Sequence, residues 1–128
     1  MNKSDYLRSA ILNAWLRNVS PSLPSAVYLA LFKVSPTSAG GGTEVAGGGY
    51  SRQIVTFAAP SSGVCVNVGS VNFPTPTTSW GTDIGSAALF DAITGGNMLY
   101  FGDLAVSKAI DVGDPVFFPA GYFSIGER

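Results

Sequence analysis

The sequence has no histidine, one cysteine and few charged side chains. Charged residues make up 12% of its 128 positions, about half of the roughly 25% found in an average soluble domain. The missing histidine removes the commonest general base and the commonest metal ligand, which disfavours His-based hydrolysis and most zinc chemistry. A net charge of −1 likewise argues against a protein that binds phosphate backbones, so we expect no nucleic-acid partner.

Disulfide and membrane signals are also scarce. Cys65 lies in the apolar run 64–66; we expect a buried, unreactive thiol that could form only an intermolecular disulfide. The longest uninterrupted apolar run, 26–32, has seven residues, against about 20 for a membrane-spanning helix. Polar side chains interrupt the N-terminal region where a signal peptide would need an apolar core. We therefore expect synthesis in a cytoplasm and no membrane association.

The length fits a single domain over residues 1–128, with a helical segment at 1–20. Residues 4–18 are predicted to form an amphipathic helix capped by Ser4. The residues that share one side of this helix are Leu7, Ala10, Ile11, Ala14, Trp15 and Asn18. Two interpretations are open: the helix packs on its own domain, or it docks on a partner subunit through Trp15 and Leu16 on adjacent faces.

The remainder, residues 26–128, is predicted to be a mainly β body. Short runs of strand-forming residues alternate with Gly, Pro and Asp turns every eight to twelve residues, which is typical of an antiparallel β-sandwich or a jelly-roll-like barrel. We predict strands at 26–34, 50–57, 64–73, 84–93, 98–101, 106–110, 116–118 and 122–125. The glycine-rich segment 36–49 is predicted to be a flexible loop.

No catalytic pattern is present in the sequence. There is no Gly-x-Ser-x-Gly elbow, and serine or cysteine cannot be activated by a histidine. The glycines at 40–49 lack the Lys-Ser/Thr ending of a phosphate-binding loop. The four aspartates that could bind calcium or act as acid and base are better explained as turn residues: Asp91, Asp103, Asp111 and Asp114. We predict no enzymatic activity, no cofactor and no metal site.

Aromatic and uncharged residues instead indicate contacts with other proteins. Adjacent aromatics such as Tyr122-Phe123 point to opposite faces of a strand, so one of each pair needs a second layer or a partner. Residues 53–82 contain no charged side chain, as in the cores of protein interfaces. We predict partner contacts at Leu7, Trp15, Leu16, Trp80 and Tyr122. A sugar-binding platform is the alternative use of exposed aromatics, but polar side chains are sparse near them in the sequence.

The order of motifs resembles a family of small tailed-bacteriophage virion proteins, variously labelled tail fibre or minor capsid proteins. The matching motifs are KSDYL at 3–7, VYLALF at 27–32, GTEV at 42–45, GGYSRQ at 48–53, VNFP at 71–74, WGT at 80–82, LFDAITGGNMLYFG at 89–102 and FPAG at 118–121. The resemblance implies a β-rich virion component that is not an enzyme. Within these motifs, we expect Arg52 to pair with Glu44 in an exposed ion pair, and the segment 91–97 to form a hairpin turn.

The hypothesis we favour from the sequence is a capsid decoration or cement protein that binds and stabilises the major capsid shell. The alternative is a tail accessory or tail-fibre-type protein, with a role in host-surface binding. Both readings predict location in the virion, contacts with the major capsid protein or other virion subunits, and self-association. No heptad or shaft repeats indicate an elongated fibre. A free carbohydrate-binding module and an enzyme are weaker alternatives.

Overall fold

The computed structural model describes residues 1–126, which form short and long antiparallel strands and one helix, α1 (Asp5–Leu16). The strands are β1 (Asn2–Lys3), β2 (Val27–Val34), β3 (Thr43–Glu44), β4 (Gln53–Val55), β5 (Val64–Val66), β6 (Val71–Asn72), β7 (Gly81–Phe90), β8 (Met98–Ile110), β9 (Phe117–Phe118) and β10 (Ser124–Gly126). The prediction of a mainly β, antiparallel fold with an N-terminal helix is confirmed. The sheets do not close into a barrel.

The main sheet has the order β1-β8-β7-β2-β3, and β4 also pairs with β2. Its centre is the long hairpin of β7 and β8, in which Ala88 lies opposite Phe101. Strand β2 runs along the other side of β7, with Leu29 opposite Leu89. Two smaller sheets, β5 with β10 and β6 with β9, contribute side chains to the core that the main sheet covers. The arrangement is therefore sandwich-like.

Apolar side chains of β2 lie on both faces of the main sheet, because successive side chains of a strand point in opposite directions. Leu29 and Leu31 are fully buried in the core shared with the small sheets. Ala30 and Phe32 lie in a second buried cluster together with Met98. Both apolar faces predicted for this strand are thus covered over residues 29–32, whereas the end of the strand at Val34 is exposed.

The helix begins one residue later and ends two residues earlier than the predicted 4–18. Ser4 is the N-cap, and its Oγ accepts a hydrogen bond from the Leu7 amide at 3.1 Å. The same hydroxyl donates to the carbonyl oxygen of Met98 and so ties the start of the helix to β8. Asn18 adopts a positive φ of 55°, which ends the helical turn.

Some predicted boundaries are wrong. The segment 36–49 is not a free loop throughout, because β3 within it pairs with β2 and Val45 is buried. The predicted strand 64–73 is divided into β5 and β6 around Gly69, whose φ of 75° places it in a turn. The predicted strands 98–101 and 106–110 are one continuous strand, β8, with register shifts against β7. The alternation of apolar and polar residues along the sequence does not show that β-bulges between β7 and β8 let the two strands stay paired over this length.

Candidate partner interface

An apolar face of α1 is turned away from the rest of the protein. We define the outer helix face as Leu12, Trp15 and Leu16, which recur at the three- and four-residue spacing of one helix side. Trp15 and Leu16 are 84% and 78% exposed. No residue of α1 is fully buried. Large apolar side chains that cluster on an exposed face are typical of sites that bind another protein.

The two interpretations of the helix apply to different sides of it. Leu7, Ala10, Ile11 and Ala14 are half-buried, as expected for the side that packs on its own domain. Trp15, which the sequence places on the same side of the helix, is not covered by the domain, so the packing interpretation does not extend to it. At about 100° per residue, Trp15 lies about 80° around the helix from Leu7. The domain covers only the sector of the helix that holds the four half-buried residues.

Trp80 is a core residue, which corrects its prediction as part of an exposed contact surface. Its side chain is 1% exposed, and its indole Nε1 donates to the carbonyl oxygen of Gly48 at 3.0 Å. The ring meets Tyr50 edge-on with centroids 5.3 Å apart, and Phe73 at 6.2 Å. A Cβ on Gly48 would lie 2.9 Å from the Trp80 ring, so this close approach requires glycine.

Tyr122 lies on a different part of the surface from the outer helix face. It is 38% exposed and packs against Phe118 and Phe123, with centroids 5.2 and 4.9 Å apart. It lines an apolar groove of about 270 Å³ between residues of β8 and β9, which also exposes Val106 and Phe117. The predicted contact residues therefore fall into three places: the helix, the core and this groove.

The predicted pair of Arg52 with Glu44 is present, but it is largely buried rather than exposed. Two guanidinium nitrogens of Arg52 each donate to a carboxylate oxygen of Glu44 at 2.9 Å. The third nitrogen donates to the carbonyl oxygens of Ala92 and Gly95 at 2.9 and 2.8 Å. The guanidinium carbon also lies 3.8 Å from the ring centroid of Phe90. Arg52 thus joins the segment around β3 to the turn that follows β7.

Tyr50 completes this polar cluster. Its hydroxyl donates to Glu44 Oε2 at 2.7 Å and accepts from the Leu31 amide at 3.0 Å. Burial raises the pKa of Tyr50 far above its ordinary value, and the neighbouring Glu44 carboxylate adds to the increase. The cluster is therefore a fixed structural connection in which Tyr50 remains protonated.

We expect the fold to lose stability as pH rises above about 10, where tyrosine in an unfolded chain releases its proton. Because the pKa of Tyr50 is raised in the folded state, its contribution is intact below that pH. Above it the contribution declines by up to about 1.4 kcal/mol per pH unit. Urea unfolding on both sides of about pH 10 should show this decline in the wild type and a smaller one in Tyr50→Phe. A Tyr6→Phe variant is the control, and an equal reduction there would contradict the assignment.

Asp91 and Asp114 hold turns, as the sequence predicts. The same prediction is wrong for Asp103, which lies within β8 and accepts a hydrogen bond from the Ser35 hydroxyl at 3.2 Å. Asp91 accepts hydrogen bonds from the backbone and side-chain nitrogens of Asn97 at 2.7 and 3.0 Å, closing the predicted hairpin turn. Asp114 accepts from the Asp111 amide at 2.8 Å. Within residues 1–126, no three carboxylate or thiol groups come together in a way that could hold a metal ion. Cys65 is half-buried in β5 as a free thiol.

Comparison with known proteins adds the family to these observations. Over the part of the chain that the structure describes, no helix combines the length and apolar character needed to cross a membrane. None of the curated proteins matches this chain. A family model described as podophage GP4 fiber I protein gp80 matches residues 2–126. The chain therefore belongs to this family of tailed-phage virion proteins that carries a tail-fibre label, which confirms the resemblance shown by its motifs.

Proposed function

We propose that the protein is a non-enzymatic structural subunit of a phage tail fibre, fixed to the particle through the outer helix face. The family description names a fibre protein, which supports the tail alternative over the capsid decoration role favoured from the sequence. The observation that carries the proposal is the exposed apolar side of α1, since its residues are held on a rigid element yet lack cover from their own domain.

The outer helix face has the anatomy of a protein contact. Trp15 and Leu16 supply a large apolar centre, and tryptophan is among the residues that contribute most to binding energy. Arg8 on α1 and Arg17, the C-cap of the helix, are exposed, so charged groups border the apolar centre. We assign this face to a different virion subunit, because a fibre protein must be joined to the particle by at least one such contact.

Replacing Trp15 and Leu16 together by serine is expected to remove the protein from assembled particles. Both side chains are mostly exposed, so their loss changes the free energy of unfolding by no more than about 0.5 kcal/mol each. Phage lacking the wild-type gene product would be complemented with wild-type or variant protein. Particles would then be purified and imaged by cryo-electron microscopy. We expect tail-associated density with the wild type and its absence with the folded variant.

The matched control is Val34→Ser with Val106→Ser, which changes two exposed apolar residues on strands. These particles should retain the density. Incorporation of the Trp15/Leu16 variant at the wild-type level would show that the helix is not the attachment site. Density spread over the capsid shell would favour the decoration role instead. That role draws its support from the compact body and the lack of shaft repeats in the sequence.

A further inference from the structure

A wide cleft lies where the start of α1, the glycine segment 38–42 and the turn after β7 meet. Its volume is about 620 Å³, within the roughly 300–1,000 Å³ range of small-molecule sites. Its lining combines hydroxyl, amide and aromatic groups from these separate segments. The polar and aromatic residues of this lining, with one methionine, include Tyr6, Ser38, Phe32, Phe90, Asn97 and Met98.

The charged groups that line this cleft are already neutralised by partners. Asp5 forms an ion pair with Arg8 in the first turns of α1. Both carboxylate oxygens of Glu44 are bonded to Arg52. The cleft therefore offers no uncompensated charge to attract an anion or a cation, which favours a neutral ligand.

Hydrogen-bonding groups remain available at the rim of the cleft. Among the described residues, neither the Tyr6 hydroxyl nor the Ser38 hydroxyl has a hydrogen-bond partner. Asn97 donates its side-chain nitrogen to Asp91, and no group within residues 1–126 donates to its side-chain oxygen. Two hydroxyls and an amide oxygen thus present donors and acceptors from three segments to one space.

Tyr6 is the aromatic residue of the cleft whose side chain is most exposed to a ligand. It is 41% exposed, whereas Phe32 and Met98 on the floor are 4% and 8% exposed. Phe90 stacks on Phe32 with centroids 6.2 Å apart, and the Arg52 guanidinium lies over its ring. A ligand would therefore meet one exposed ring and several polar groups, rather than deep apolar pockets of the kind that hold peptide side chains.

We propose that this cleft binds a neutral saccharide, with the apolar face of a sugar ring on Tyr6 and its hydroxyls bonded to Ser38 and Asn97. Sugars combine an apolar C–H face with many hydroxyls, which matches one exposed ring surrounded by uncharged donors and acceptors. The glycines beside Ser38 leave room, since a Cβ on Gly40 or Gly41 would meet no atom within 4 Å. Sugar binding at this cleft would require only the isolated chain and would not depend on where the protein lies in the particle.

Saturation-transfer NMR on the full chain tests the proposal with a panel of neutral trisaccharides of glucose, galactose, mannose and N-acetylglucosamine, and with the acidic sugar N-acetylneuraminic acid. We expect at least one neutral sugar to bind at millimolar concentration and the acidic sugar to bind more weakly. Tyr6→Ala should weaken binding by roughly tenfold, the equivalent of about 1.4 kcal/mol. Ser38→Ala should weaken it several-fold.

The matched control is Tyr122→Ala, which removes a similarly exposed tyrosine from the separate β8–β9 groove. Circular dichroism melting of each variant would establish that it is folded. Binding lost in Tyr122→Ala but kept in Tyr6→Ala would place the sugar in the groove and overturn the proposal. So would failure of every neutral sugar to bind, or binding of an uncharged tripeptide alone. Particle attachment is tested with the Trp15/Leu16 variant and sugar binding with Tyr6→Ala, so either proposal can fail without the other.

Discussion

Glu44→Ala is expected to lower the free energy of unfolding by roughly 3–5 kcal/mol. Arg52 is 8% exposed, and this substitution removes both carboxylate oxygens that its guanidinium binds at 2.9 Å. The variant would retain a buried cation without its counter-charge, and the Tyr50 hydroxyl would lose its acceptor. Breaking such a pair from one side is costly because the remaining charge stays desolvated. Urea unfolding at neutral pH measures the change.

Arg8→Ala is the matched control for this prediction, because it breaks the exposed ion pair with Asp5. We expect a loss of at most about 1 kcal/mol there. The double variant Glu44→Ala/Arg52→Met should be more stable than Glu44→Ala alone, since it removes the orphaned charge as well. Equal losses for the buried and exposed pairs would mean that the Arg52 cluster does not hold the turn after β7 to the sheet.

Trp80→Ala should lower the free energy of unfolding by about 3–5 kcal/mol, as large-to-small substitutions of buried aromatics do. The indole packs edge-on against Tyr50 and Phe73, whose rings stack on each other, and it donates to the Gly48 carbonyl at 3.0 Å. Its loss would leave a cavity in the core and remove one of two hydrogen bonds to the Gly48 carbonyl, which also accepts from the Thr77 amide at 3.0 Å. Trp80→Phe should lose less, because most of the ring contacts remain.

The two tryptophans of the chain provide an internal comparison. Trp15→Ala should change the free energy of unfolding by no more than about 0.5 kcal/mol, because the side chain is 84% exposed. Tryptophan fluorescence distinguishes them: Trp15→Ala leaves the blue-shifted emission of a buried indole, and Trp80→Phe leaves the red-shifted emission of an exposed one. Similar stability losses for the two alanine variants would contradict the placement of one tryptophan in the core and the other on the surface.

The uncharged stretch 53–82 contains both core residues and exposed residues, which its composition alone does not distinguish. Val55, Val71 and Phe73 lie in the core, where absence of charge is a requirement of burial. Ile54 and Val68 are exposed at 61% and 57%, so uncharged surface remains for contacts with other subunits. The prediction that this surface meets other proteins stays a prediction, and the outer helix face is the stronger candidate because its apolar residues are contiguous on one element.

The sequence by itself determined the fold class, the helix with its Ser4 cap, the two apolar faces of β2 and the hairpin turn at 91–97. These features depend on local rules: side-chain periodicity, capping and turn chemistry act over a few residues. The order of the sequence motifs also indicated the family. The sequence also predicts the pairing of Arg52 with Glu44, since only eight positions separate the two residues.

Only the tertiary structure decided which apolar side chains are buried and which are left for a partner. Trp15 and Trp80 are chemically the same, but Trp80 faces the layer that brings Gly48 to its indole, while the domain covers too narrow a sector of α1 to reach Trp15. The cleft beside Tyr6 was likewise not apparent, because its groups come from residues 4–6, 38–42 and 96–98. Burial depends on contacts between segments distant in the chain, and no local pattern encodes them.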